Sequence, residues 1–377
     1  MACTVISIKR SFKKFSKPRI GKSNCMGWKQ RILIVFLRIL DGLKLFKTLM
    51  GFVGRWTPVY SQKGRCVWPY IKRRRNANVH LLAYHRVSDA CDSFLPPMPI
   101  KMFETQMTYL ATYCNVLNLD EAVERIKAQD VPDDAVVVTF DDGYADNYIH
   151  AFPILKRLSI PATIFLPTDV IGTGRVLWHD QVFSALSKSK VPLIEGFPEN
   201  GSRFSLRTLQ DKRRAQDSIS LYFRSLDVPR RCHEIKRLFG LLAFSMNFGS
   251  SRVYLDWSEV KAMQSHGIGF GSHSVTHPIL SFLSETEARE EIWESKSLME
   301  KMLGIRVKSF AYPSGRRQDF SEATKALLRE SGYECAVSMI HGTNFVGTDL
   351  FEMRRTQYQD DNLHMFGARL TYYKCTS

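Results

Sequence analysis

Val136-Val137-Val138-Thr139-Phe140-Asp141-Asp142-Gly143 decides the architecture. An apolar, β-rich run breaks directly into two carboxylates and a glycine. Similar short runs recur at 79–85, 162–170, 267–273, 307–313 and 335–340, and helical patterns lie at 102–113, 118–129, 148–158, 257–265, 284–303 and 321–331. Ser284-Glu285-Thr286-Glu287 reads as a capping box at the start of one of them. Alternating β and α elements predict an α/β fold on a parallel sheet, doubly wound or closed into a barrel. In such folds chemistry sits at the C-terminal strand ends, so Asp141 and Asp142 are expected at a pocket mouth. The segment 173–250 breaks the rhythm; it is basic, mostly helical in pattern, and reads as an insertion.

Two adjacent acids at a buried edge repel each other unless a cation or a proton intervenes. A metal accounts for the pair, with one carboxylate ligating and the other free to act. His273-Ser274-Val275-Thr276-His277 offers two imidazoles at H-x3-H spacing, again at the end of an apolar run, and Pro278 favours a loop there. Two histidines and one carboxylate leave coordination positions open for water, as hydrolytic sites require.

The 377 residues carry a formal charge of +16, unevenly spread. Residues 1–78 hold 19 Lys and Arg against Asp41 alone, a net +18; the rest hold 34 against 36 Asp and Glu, a net −2. A nearly neutral body excludes a catalytic domain whose main surface tracks nucleic-acid backbone. Within the tail, Ile32, Phe36, Ile39, Leu43, Phe46, Met50 and Val53 make one apolar stripe on a helix, residues 31–53, flanked by basic clusters. The stretch is too interrupted by charge to span a bilayer, and suits an anionic membrane surface. Packing on the protein's own body, a solvated tail and a nucleic-acid arm are the other readings of the tail. The eight cysteines form no C-x-x-C pair and read mostly as reduced thiols. With no cleavage site after the short apolar run 32–37, the cytoplasmic face of a membrane is the expected location, the periplasm the alternative.

Thr139-Phe140-Asp141-Asp142-Gly143, His273-Ser274-Val275-Thr276-His277 and Phe310-Ala311-Tyr312-Pro313-Ser314-Gly315 resemble, in order, the motif series of polysaccharide deacetylases. This is carbohydrate esterase family 4, with the nodulation-type chitooligosaccharide deacetylase domain. Leu177-Trp178-His179-Asp180 and Leu255-Asp256-Trp257 resemble a cell-envelope branch. The resemblance covers about 79–357 and gives two expected domains, a basic extension at 1–78 and a barrel at 79–377. It implies an irregular (β/α)7 barrel. It also implies that Asp142, His273 and His277 ligate one divalent metal, Zn2+ or alternatively Co2+, Ni2+ or Mn2+, with Asp141 the general base. Metal and a backbone N–H near Ser314 would stabilise the oxyanion.

Two departures from the family pattern stand out. The late acid histidine lacks its motif, and Ala83-Tyr84-His85-Arg86-Val87 matches a variant that places it early, so His85 is the expected general acid. Ala311 stands where an arginine normally orients the base, and Arg354 or Arg355 is the expected substitute. Among the aromatics Tyr312, Tyr144, Trp178 and Trp257, Tyr312 is expected to line the pocket and Trp257 to pack in the core. The implied activity is hydrolysis of the N-acetyl group of an amino sugar in an envelope polysaccharide or lipid-linked precursor. O-deacetylation, deformylation and a silent glycan-binding barrel are the rivals.

Overall fold

In the computed structural model, residues 78–90, 92, 95–245, 252–358 and 363–376 are described, with a two-residue strand pair at 59–60 and 66–67. The expected helix at 31–53 lies outside these residues. Each apolar run forms a strand: β1 Val79–Tyr84, β2 Ala135–Phe140, β3 Ala162–Leu166, β4 Gly269–Ser272, β5 Ser309–Ala311 and β6 Cys335–Val337. A two-residue β7, Arg355–Thr356, was not expected.

The strands pair in parallel in the order β6-β5-β4-β3-β2-β1-β7. The residues entering β7 join the other edge. Met353 N–H donates to Ala336 O at 3.0 Å, and Ser338 N–H to Met353 O at 2.8 Å. The chain therefore curls into the expected seven-stranded (β/α)7 barrel. Asn115–Leu117 adds a short strand beside β2.

Successive strand residues face opposite ways. Leu81, Val137, Phe165, Ala311, Val337 and Met353 share the cluster that fills the barrel. Their neighbours Leu82, Val136, Val138, Ile164 and Phe310 join the layer under the helices. Gly271 is required inside, since a Cβ there would lie 2.4 Å from the Phe165 ring. The same alternation carries β2 from Val137 through Thr139 to Asp141 on the inner face.

The helices are α1 Ile100–Tyr113, α2 Leu119–Lys127, α3 Phe152–Leu158, α4 Trp178–Lys188, α5 Leu209–Arg224, α6 Val228–Leu241, α7 Trp257–Gln264, α8 Glu285–Leu303, α9 Glu322–Glu330 and α10 Leu363–Thr376. The stretch expected as one helix at 148–158 opens with a π-type turn at Asn147–Ala151 and continues directly as α3. The expected capping box opens α8: Ser284 Oγ accepts the Glu287 N–H, and the Glu287 carboxylate accepts the Ser284 N–H at 2.9 Å. Within the insertion, α4–α6 and a hairpin (Leu193–Glu195 with Arg203–Ser205) surround their own cluster of Val182, Leu186, Phe197, Ile219, Phe223 and Leu238. Among the described residues no helix is long and apolar enough to cross a membrane.

Candidate metal and catalytic site

Asp141 ends β2, its N–H still in the ladder with Tyr84 O at 3.0 Å. Its carboxylate receives both prongs of Arg355: Nη1 to Oδ1 and Nη2 to Oδ2, each 2.7 Å. Arg355 is fully buried, and also donates to Ser338 O and to Thr139 Oγ1. One side chain thus joins β7, β6 and β2 inside the barrel. Burial pushes Asp141 up, but the charge of Arg355, with His273 and the Arg355 hydrogen bonds, outweighs it and holds the carboxyl at about 2. Of the two arginines expected near Asp141, Arg355 is the one that contacts it. Arg354 is exposed and faces Gly342, because adjacent strand residues point apart.

The next two residues turn the chain through left-handed conformations, Asp142 at φ +68° and Gly143 at +61°. Glycine is needed at 143, where a Cβ would sit 2.7 Å from Leu166 Cδ2. The turn brings Asp142 Oδ1 to 3.5 Å from His277 Nε2 and 3.7 Å from His273 Nε2. All three residues are buried, with their donor atoms within 4.8 Å of one another. Asp142 Oδ1 has no hydrogen-bond partner.

The tautomers sharpen this picture. His273 Nδ1 donates to Ala311 O at 2.7 Å, so Nε2 carries a lone pair aimed at the carboxylate. Burial holds His273 down to about 4 and His277 well below its ordinary value. Burial, then the Asp141 and Asp180 charges, push Asp142 well above the usual carboxylate range. The lone pair of His273 Nε2, the His277 Nε2 atom and an unpartnered carboxylate oxygen of Asp142 converge on one buried point. Ligands of a zinc-sized ion lie about 3.3 Å apart, so this donor set fits a divalent cation after a small contraction.

Glu291 on α8, absent from the sequence expectations, shapes the histidine loop. Its carboxylate accepts the N–H groups of Val275 and Thr276 and the Thr276 hydroxyl, at 2.6–2.9 Å. Ser274 Oγ accepts the His277 N–H at 3.1 Å. A buried acid in the middle of a helix carries no periodic or motif signal, so nothing in the sequence marked it.

His85 follows β1 on the same inner parity and is half-buried, with Nδ1 buried and unpartnered. Burial lowers its pKa while Asp141 pulls it up. It borders a cavity of about 210 Å³ lined also by Tyr84, Leu95, Met98 and Tyr358. Ser314 sits after β5 at φ +59°. The neighbouring Tyr312 and Gly315 N–H groups donate to Val337 O and Pro313 O, whereas the Ser314 amide has no protein acceptor among the described residues.

The aromatic expectations need correction. Tyr312 packs in the core: it is 1% exposed, stacks on Phe320 at 4.1 Å and donates to Phe351 O. Tyr144 and Trp178 are buried too, Tyr144 between Tyr254 and the Arg86 guanidinium. Trp257 packs partly buried against the main core, as expected.

Comparison with known proteins places this geometry among relatives. A family model described as polysaccharide deacetylase matches residues 128–336. YxkH of Bacillus subtilis (strain 168), provisionally named a polysaccharide deacetylase, is 21% identical over 290 residues, covering 76% of this chain and 74% of that protein. Among solved structures, the Streptococcus pyogenes deacetylase PplD, in complex with acetate, is 18% identical, with a TM-score of 0.54 over 79% of this chain and 99% of that one. IcaB from Ammonifex degensii is 19% identical, with a TM-score of 0.52 over 78% and 97%. The polysaccharide deacetylase BC0361 from Bacillus cereus is 18% identical, with a TM-score of 0.51 over 78% and 69%. At these identities the structures show a common fold. The family match spans more than half of the sequence and contains Asp141, Asp142, His273 and His277, and so the chain belongs to the polysaccharide deacetylase family.

Proposed function

We propose that the chain is a metal-dependent hydrolase that removes the N-acetyl group of an amino sugar in an envelope polysaccharide or a lipid-linked glycan precursor. The convergence of Asp142, His273 and His277 beside an arginine-held Asp141 carries this reading. When bound there, a divalent ion would supply a Lewis acid that polarises a carbonyl and lowers the pKa of water toward about 7.

The residues divide the remaining work. Asp141 is fully ionised at neutral pH and accepts a proton from the attacking water. Arg355 keeps that carboxylate charged and fixes its plane. Asp142, His273 and His277 hold the ion, His273 oriented by Ala311 O and His277 by the Glu291-braced loop. The Ser314 amide donates to the oxyanion, an interaction worth about 3 kcal/mol. His85, on a different strand end from Asp141, gives a proton to the departing amine. The solved relative PplD is described with acetate, the acid that this reaction would release.

Metal analysis with an acetate-release screen over envelope amino sugars tests the proposal. Stoichiometric metal, and acetate released together with a free amine, are expected. Release of formate, or of acetate from an ester with no new amine, would transfer the assignment to a related bond. No turnover with metal bound would point to a glycan-binding barrel.

The basic extension is proposed to hold the enzyme on an anionic membrane surface at the cytoplasmic face, where it meets lipid-borne sugar. Sedimentation with anionic vesicles, with and without residues 1–78, tests this. Equal and negligible binding by both forms would end it.

A further inference from the structure

We propose that Trp178-His179-Asp180, at the head of the insertion, belongs to the metal centre as its outer support. His179 holds the outer oxygen of Asp142, and Trp178 holds the backbone of His277. The inference rests on the metal reading above, and gives the insertion a role at the site.

The residues lie where such a role needs them. Trp178 Nε1 donates to His277 O at 3.1 Å, a buried bond between α4 and the histidine loop. The His179 ring stands edge-on to His277, with centroids 5.0 Å apart. His179 Nε2 is 3.9 Å from Asp142 Oδ2. That oxygen is not the one facing His273 and His277, which is Oδ1. The carboxylate is therefore flanked on both sides, by two imidazoles on Oδ1 and a third on Oδ2.

The surroundings of His179 make it a proton donor and not a fourth ligand. Nε2 is ringed by oxygens: Tyr144 Oη at 3.4 Å, Asp180 Oδ1 at 3.7 Å and Asp142 Oδ2 at 3.9 Å. The Tyr144 hydroxyl gives its own proton to Asp180 at 3.0 Å, which leaves its lone pairs toward the imidazole. A nitrogen among oxygen acceptors keeps its hydrogen, and a metal ligand cannot. The 3.9 Å to Asp142 is about 1 Å beyond a hydrogen bond, a gap that a small side-chain rotation or one bridging water spans.

Asp180 anchors the arrangement. It accepts the hydroxyls of both Tyr144 and Tyr254. Tyr254 Oη in turn accepts the Leu177 N–H at 3.1 Å, just before α4. Tyr144 follows the Asp-Asp-Gly turn and Tyr254 lies on the return from the insertion; the two also form an antiparallel bridge. Entry and exit of the insertion are thereby tied to the turn that aims Asp142. Partners of this kind typically govern metal affinity by 10–100-fold. A purely packing role would change stability and leave affinity alone.

Titration of the full-length, metal-stripped protein with Zn2+ separates these roles. His179→Phe keeps a ring of similar size without the N–H, and His179→Gln keeps a donor. His179→Phe is expected to weaken Zn2+ binding 10–100-fold, with His179→Gln recovering most of the loss. The visible spectrum of the Co2+-loaded protein should shift in His179→Phe and Trp178→Phe, reporting altered ligand geometry. Parent-like affinity and spectrum in His179→Phe would overturn the inference while leaving the metal reading intact. If the parent binds no Zn2+, or Asp142→Asn binds it as tightly as the parent, the metal reading and the inference both fall.

Discussion

Replacing Arg355 by methionine removes a charge at near-constant volume and should reverse how stability responds to pH. The guanidinium is fully buried, with two 2.7 Å bonds to Asp141 and further bonds to Ser338 O and Thr139 Oγ1. Leaving one member of a buried ion pair behind costs about 3–5 kcal/mol. Asp141 gives an independent figure. Its carboxyl lies at about 2 against an ordinary 3.8, roughly 2 kcal/mol at 1.36 kcal/mol per unit. In the parent this contribution is complete above the ordinary carboxylate pKa and is lost as pH falls toward 2. Without Arg355, burial dominates and the folded pKa lies above the unfolded one. Asp141 then contributes most when protonated, and its contribution declines as pH rises through its new folded pKa. Denaturant unfolding from pH 4 to 8 should therefore show a variant that loses ground with rising pH. Its acid limb of acetate release should move upward by roughly 1–3 units, the depression that an adjacent arginine normally provides. Parent-like stability and an unmoved acid limb in Arg355→Met would refute the assignment of Arg355 as the group that keeps the base ionised.

Three further expectations follow from the same geometry. Asp141→Asn should retain metal and lose about 10²–10⁴-fold in kcat, whereas Asp142→Asn should lose metal itself; metal content and turnover measured together distinguish them. His85→Gln should lower kcat by about 10²-fold with Zn2+ affinity unchanged, and an unchanged kcat would remove it as the acid. Gly143→Ala should destabilise by about 1–3 kcal/mol in denaturant melts, because φ is +61° and the new Cβ meets Leu166 Cδ2 at 2.7 Å.

The regular elements were legible because each repeats a local pattern over many residues. Val136–Phe140 reads as a strand, and Ser284 with Glu287 as a helix start, without reference to anything distant. The strand that closes the barrel was not legible. Arg355–Thr356 is two residues long, too short for any periodicity, and pairs because β1 offers it a free edge while Met353, just before it, bridges to β6. Tyr312 misled for a related reason. Its place in a motif suggested the pocket, but Phe320, eight residues on, takes its ring and the Phe351 carbonyl, 39 residues on, takes its hydroxyl.

By itself the amino-acid sequence determined the donor types and their local spacing. Asp141-Asp142-Gly143 ends one strand, and His273 and His277 lie within one tight loop, so contacts of a few residues suffice to assemble each half. Only the tertiary structure decided which arginine reaches the base, what braces the histidine loop, and where the insertion touches. Arg355 points inward because β7 registers against β1 with Arg355 beside Leu81. Glu291 reaches the histidine loop from α8 and His179 approaches Asp142 from α4, both far along the chain from the Asp-Asp-Gly turn. Strand register and the packing of separate segments are global outcomes of filling one core, and no local pattern encodes them.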